Sequence, residues 1–120
     1  PAMELLGLRT TIYPTDDLAA SVRYFTELLG VEPYFDEPFY VGFNVGGYEL
    51  GVDPNSDVAV GTQSYWGVVD AEAASGELVA SGATVVSAVN EVGEGIKVGQ
   101  FRLPDGNHFA IIENPHFELP

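Results

Sequence analysis

The sequence predicts an α+β fold built from two successive βαβββ modules, and three observations predict it. A helix-to-strand junction occurs twice, as Leu28-Leu29-Gly30-Val31-Glu32 and as Ala80-Ser81-Gly82-Ala83-Thr84, with a period of roughly fifty residues. Each copy follows an acid-capped apolar stretch and precedes short β-rich runs. The chain also closes on a hairpin, in which Pro104-Asp105-Gly106-Asn107 separates Val98–Leu103 from His108–Ile112. There proline pre-sets φ, Asp105 bonds its own backbone, and Gly106 and Asn107 accept φ > 0.

In the first module Leu5–Tyr13 is β-rich and ends at Pro14-Thr15. Asp16 or Asp17 caps a helix whose apolar stripe is Leu18, Val22, Phe25 and Leu29, with Leu28 beside it. Gly30 stands where a helix C-terminal glycine belongs. Strands are predicted at Val31–Phe35, Phe39–Val45 and Tyr48–Val52, with a break at Asp36–Pro38 and a turn at Gly46-Gly47.

A polar, turn-rich segment, Asp53–Asp57, leads to the second module. Ser64–Val69 reads as a strand, and Asp70 caps a helix carrying Ala73, Ala74, Leu78 and Ala80 until Gly82 stops it. Strands follow at Ala83–Val89, Ile96–Leu103 and His108–Ile112, with Asn90–Gly95 as a loop. In the last strand His108, Ala110 and Ile112 share one face, and Phe109 and Ile111 the other.

The 120 residues make one domain, with modules at about 5–53 and 62–115, small enough that a second copy would help bury its core. Eighteen acidic residues against four basic ones give a net charge of −14. That sign opposes nucleic acid and anionic membranes. Spread along the chain, the acids chiefly solubilise it, and their field also concentrates cations. No apolar run is long enough to span a bilayer, and the first residues lack the basic-then-apolar pattern of an export signal. Cysteine is absent, which removes thiolate chemistry and fits a cytoplasmic chain.

The arrangement resembles the vicinal oxygen chelate superfamily, which includes glyoxalase I, extradiol dioxygenases, methylmalonyl-CoA epimerase and the bleomycin resistance proteins. Thr15-Asp16-Asp17-Leu18-Ala19-Ala20-Ser21, Tyr24-Phe25 and Leu28-Leu29-Gly30 carry the likeness in the first half. Val69–Ala74, Ala80–Ala83 and Phe101–Asn107 carry it in the second. The resemblance implies an eight-stranded half-open barrel around a cavity, completed in many members by a homodimer.

It also implies four metal-ligand positions, in the first and last strands of each module. The first falls on Thr10, whose neutral hydroxyl ligates poorly, and the last on Ala110, which has no donor. The others fall on Glu49 or Gly51, and on Gln63 to Tyr65. No metal and no other cofactor is therefore expected. His108 shares the Ala110 face and is a candidate base, ligand-anchoring donor or displaced metal ligand together with Glu49. Tyr40, Tyr48 and Tyr65 offer a π face and a polar tip to a planar or cationic ligand.

The expected function is a metal-independent binding protein that sequesters an aromatic or cationic small molecule. Thr10, Tyr40, Tyr48, Gln63, Tyr65 and His108 would be its contacts. The alternative is a lyase-, isomerase- or dioxygenase-type enzyme with a rearranged divalent-metal site using Glu49, His108 and Gln63, in which Glu49 and His108 are the catalytic pair.

Overall fold

Both βαβββ modules are present in the computed structural model, which describes residues 3–120. The elements are β1 (Gly7–Pro14), α1 (Leu18–Leu29), β2 (Phe35–Glu37), β3 (Tyr40–Val45) and β4 (Tyr48–Asp53). After a short 3-10 turn at Val58–Val60 come β5 (Gln63–Gly67), α2 (Ala71–Ala80), β6 (Thr84–Gly93), β7 (Ile96–Arg102) and β8 (His108–Glu113). The described residues divide into two compact units. One joins the chain up to Arg9 with Ser64–Phe117; the other joins Thr10–Gln63 with Glu118–Pro120.

In the Thr10–Gln63 unit the strands lie in the order β2-β3-β4-β1. The end of β1 runs parallel to β4, with Thr10 opposite Glu49, because α1 carries the chain back across the sheet. Asp17 caps α1 by accepting from the Ala20 amide at 3.1 Å, and Gly30, at φ 69°, ends it in the left-handed region. The expected stripe of Leu18, Val22, Phe25 and Leu29 packs on Val41, Phe43 and Val52. Leu28 is off that stripe and exposed. Since Val41, Phe43, Leu50 and Val52 take the α1 side, alternation turns Gly42, Glu49 and Gly51 to the opposite face.

In the other unit the order is β5-β8-β7-β6. β5 is parallel to β8, with Tyr65 opposite Ala110, and β7 is antiparallel to β8, pairing Gln100 with Ala110 and Arg102 with His108. Leu6 joins this unit by donating its amide to Gly67 O at 2.8 Å. Its core is Val68, Ala71, Ala74, Leu78, Ala83, Phe101 and Ile111, with Phe109 against it. The two faces expected for β8 are thus observed: Phe109 and Ile111 meet α2, and His108 and Ala110 lie on the other side.

Four local expectations are corrected. The strand expected at Val31–Phe35 starts only at Phe35, and Asp36 and Glu37 of the expected break belong to β2, which pairs Glu37 with Tyr40 around a Pro38-Phe39 turn. Ladder bonding to β3 thereby outweighs the low strand propensity of two acids. The Asn90–Gly95 loop shrinks to Glu94-Gly95, because Asn90, Glu91 and Gly93 pair with β7. In α2 the buried residues are Ala71, Ala74 and Leu78, whereas Ala73 and Ala80 are exposed. At the final hairpin Gly106 takes the positive φ and Asn107 does not, since its amide is already engaged by Asp105 Oδ1 at 3.0 Å. Among the described residues no helix is long and apolar enough to cross a membrane.

Candidate functional site

Glu49 lies mid-strand on the face of β4 that α1 leaves uncovered, and three hydroxyls converge on its carboxylate. Thr10 Oγ1 donates to Oε1 at 2.9 Å, Tyr40 donates to the same oxygen at 2.6 Å, and Tyr34 donates to Oε2. The backbone makes this convergence possible. The parallel register brings Thr10 beside Glu49, and the tight β2–β3 turn returns Tyr40 to the same sheet face. Glycine at 42 and 51, paired across β3 and β4, leaves the floor bare. A Cβ at 51 would stand 1.8 Å from the Tyr40 hydroxyl, and one at 42 would stand 2.8 Å from Glu49 Oε2. Both glycines are there because rings and a carboxylate lie directly on the backbone.

The cluster is graded in exposure. Thr10 is buried, Tyr40 and Glu49 are half-buried, and Tyr34 is 62% exposed. Burial, then the charge of Glu49 and its hydrogen bond, push the Tyr40 phenol far above its ordinary range. Tyr34 is pushed up by the same causes, burial again first. Both therefore remain neutral donors to an ionised acceptor, the stronger kind of hydrogen bond.

In the other unit, Tyr65 is buried and its hydroxyl accepts from Gln100 Nε2 at 2.7 Å. His108 is half-buried; its Nε2 lies 3.1 Å from an Arg102 guanidinium nitrogen, while its Nδ1 is buried with no partner among the described residues. Gln63 likewise has a buried, unpartnered Oε1. Tyr48 is exposed and alternates to the α1 side of β4, away from the Glu49 face. The structure thus brings together Thr10, Tyr40 and Glu49 among the expected residues. Tyr34 is the participant that sequence reasoning missed. The strand glycines Gly42 and Gly51 were the available signal, since a glycine inside a strand marks close approach.

The strand registers show which of the alternative residues pair. Opposite Thr10 stands Glu49, not Gly51, and opposite Ala110 stands Tyr65, not Gln63. In neither unit do these residues fit a divalent ion. Ala110 has no donor atom, Thr10 spends its proton on Glu49, and Tyr65 is a buried phenol already bonded to Gln100. Three of the roughly four lone-pair positions of Glu49 are filled by hydroxyls. A second acidic group, Asp70, Glu72 and Glu113, is occupied structurally. Asp70 and Glu113 accept the Ala73 and Ala71 amides at the start of α2, and Glu72 pairs with Lys97 at 3.2 Å.

Comparison with known proteins agrees with this architecture. The family described as the Glyoxalase/Bleomycin resistance protein/Dioxygenase superfamily matches residues 7–111. A methylmalonyl-CoA epimerase variant of Streptomyces coelicolor, solved with 2-nitronate-propionyl-CoA, superposes with a TM-score of 0.76 at 14% identity, covering 93% of this chain and 99% of that one. A glyoxalase/bleomycin resistance protein/dioxygenase superfamily member from Vibrio splendidus 12B01 gives 0.63 at 20% identity, covering 88% and 97%. A Legionella pneumophila protein described as an NAD-dependent benzaldehyde dehydrogenase gives 0.68 at 14%, covering 86% and 96%. At these identities the likeness is one of fold. No curated protein matches the sequence.

Proposed function

The chain belongs to the glyoxalase/bleomycin resistance protein/dioxygenase superfamily, and on that premise we propose that it is a metal-independent binding protein for an aromatic or cationic small molecule. The observation that carries the reading is the Glu49 carboxylate held by Thr10, Tyr34 and Tyr40. A divalent ion wants several oxygens around it and would have to displace these donors. An organic ammonium needs less: one free lone pair, a negative charge and aromatic faces. Tyr34 and Tyr40 supply the faces, and the net charge of −14 raises the local concentration of cations. Thr10 and Gln63 belong to the proposal as further contacts in the unit that carries Glu49, and Tyr65 and His108 as separately proposed contacts in the other unit. Tyr48, expected as a contact, stands on the α1 side of β4, the face opposite Glu49, and is set apart from this group. A homodimer is part of the same proposal, and the exposed Tyr24 and Leu28 on α1 support it.

The test is a thermal-shift screen of aromatic and cationic compounds, led by protonated benzylamine, with a chelator present throughout. Binding to the folded state adds about 2.7 kcal/mol at a hundredfold excess over Kd, a shift of several degrees for a domain of this size. Tyr40→Phe is expected to reduce the shift. Stabilisation that appears only when a divalent ion is added would contradict the proposal, as would no stabilisation by any compound.

A further inference from the structure

We infer that the ligand is a protonated amine carrying an aryl group, its N–H donated to Glu49 Oε2 and its ring placed on Phe35 and Phe39. The inference rests on the cation-binding reading above and joins its two alternatives, aromatic and cationic, in one molecule. Every residue it uses lies in the Thr10–Gln63 unit.

The two oxygens of the Glu49 carboxylate are not equivalent. Each offers roughly two lone pairs. On Oε1 both are taken, by Thr10 at 2.9 Å and Tyr40 at 2.6 Å. On Oε2 only Tyr34 donates, among the described residues, and Tyr34 is the exposed member of the cluster while Thr10 is buried. The open acceptor position is therefore on Oε2, at the end of the carboxylate nearer to solvent. It takes an N–H, and a nitrogen carrying four carbons has none. Such a cation also keeps its charge a methyl group further from the carboxylate. The site thus selects protonated amines over quaternary ammonium.

The ring position follows from the β2–β3 register. Phe35 is paired with Gly42, and cross-strand partners share a face, so Phe35 stands on the face that carries Glu49. Tyr40 links it to the carboxylate: its hydroxyl bonds Glu49, and its ring lies 6.3 Å from that of Phe35. Phe39 meets Phe35 edge to face, at 6.0 Å and 71°. Phe35 and Phe39 are nonetheless 39% and 58% exposed, on the outermost strand of the unit and its turn. Two exposed rings in contact form a patch, unlike apolar residues scattered singly. A T-shaped pair presents a ring face and a ring edge together, an arrangement on which a third ring packs. The adjoining carboxylate makes the patch complementary to a cation, and the net charge of −14 adds to that. An uncharged apolar partner would gain nothing from either.

The test compares three cations at neutral pH with a chelator present: 2-phenylethylamine, its N,N,N-trimethyl derivative and 2-cyclohexylethylamine. In calorimetric titration of the full chain, the phenyl amine is expected to bind roughly five- to tenfold more tightly than the trimethyl derivative, the worth of one hydrogen bond. It should bind roughly two- to tenfold more tightly than the cyclohexyl amine, the worth of an aromatic contact beyond its area. In the double variant Phe35→Leu, Phe39→Leu the second advantage should vanish and the first persist. Equal affinity for the phenyl amine and its trimethyl derivative overturns the inference while the cation reading stands. So does a phenyl advantage that is absent from the wild type or survives in the double variant. Binding of none of the three overturns the cation reading and the inference together. Sedimentation of both proteins addresses the other occupant of these rings. A wild-type dimer that dissociates in the double variant, with the three affinities unchanged, assigns Phe35 and Phe39 to a second copy and overturns the inference.

Discussion

Replacing Gly51 by alanine is expected to cost about 3 kcal/mol of stability and to expel Tyr40 from Glu49 while the fold survives. The backbone at 51 is not in the left-handed region, so the added methyl acts through space alone. Its Cβ would lie 1.8 Å from the Tyr40 hydroxyl and 2.6 Å from Cζ, an overlap no small adjustment relieves. The ring is attached at the start of β3 and can swing away, whereas the ladder from Gly51 to Gly42 and Ile12 stays paired. The cost is then a 2.6 Å bond to a carboxylate and the packing of one ring. Urea unfolding measures the loss, and ultraviolet titration follows the phenol. In Gly51→Ala the Tyr40 phenol should fall back towards the ordinary tyrosine value. Unchanged stability together with an unchanged alkaline titration would show that Tyr40 does not rest on Gly51.

Substituting Glu49 by glutamine should cost about 2 kcal/mol, lower affinity for cationic ligands by at least tenfold, and flatten the alkaline stability profile. Glutamine keeps the size of the side chain, removes its charge and turns one acceptor into a donor facing hydroxyls. The pH effect follows from the tyrosines. In the folded chain burial, followed by the charge and hydrogen bond of Glu49, raises the Tyr40 phenol, and Tyr34 is raised likewise. In the unfolded chain the same phenols titrate near 10. Above that pH the unfolded state has released protons that the native state still holds, so stability falls as pH rises. The contribution of these two groups is fully present below about pH 10 and is lost above it. In Glu49→Gln burial remains the chief cause and the charge of Glu49 is gone, so the decline from neutral to alkaline pH should be shallower than in the wild type. Parallel declines in the two proteins would show that Glu49 does not control the phenols.

Much of this arrangement could be read from the chain, for identifiable reasons. The α1 stripe of Leu18, Val22, Phe25 and Leu29 and the caps at Asp17 and Asp70 are local patterns, and the structure follows them. The repeated module and the Pro104–Asn107 turn are likewise short-range signals. What escaped depends on pairing between distant strands. The choice of Glu49 over Gly51, and of Tyr65 over Gln63, is set by the parallel registers β1–β4 and β5–β8, which no window of sequence contains. Tyr34 reaches Glu49 from just before β2, which begins at Phe35, the last residue of the run expected to be a strand. The bond between Arg102 and His108 was hidden for a related reason, since a hairpin pattern places two residues opposite each other without saying which nitrogen accepts.

Recognition at Glu49 is proposed to need no metal. Its most direct test is elemental analysis of protein purified without chelator, followed by titration with nickel, manganese, iron and zinc ions. The expected result is no near-stoichiometric metal and no saturable binding that depends on Glu49. A stoichiometric ion, retained through purification and lost in both Glu49→Ala and His108→Ala, would contradict it. The site would then be a rebuilt metal centre and the chain an enzyme of the isomerase, lyase or dioxygenase kind.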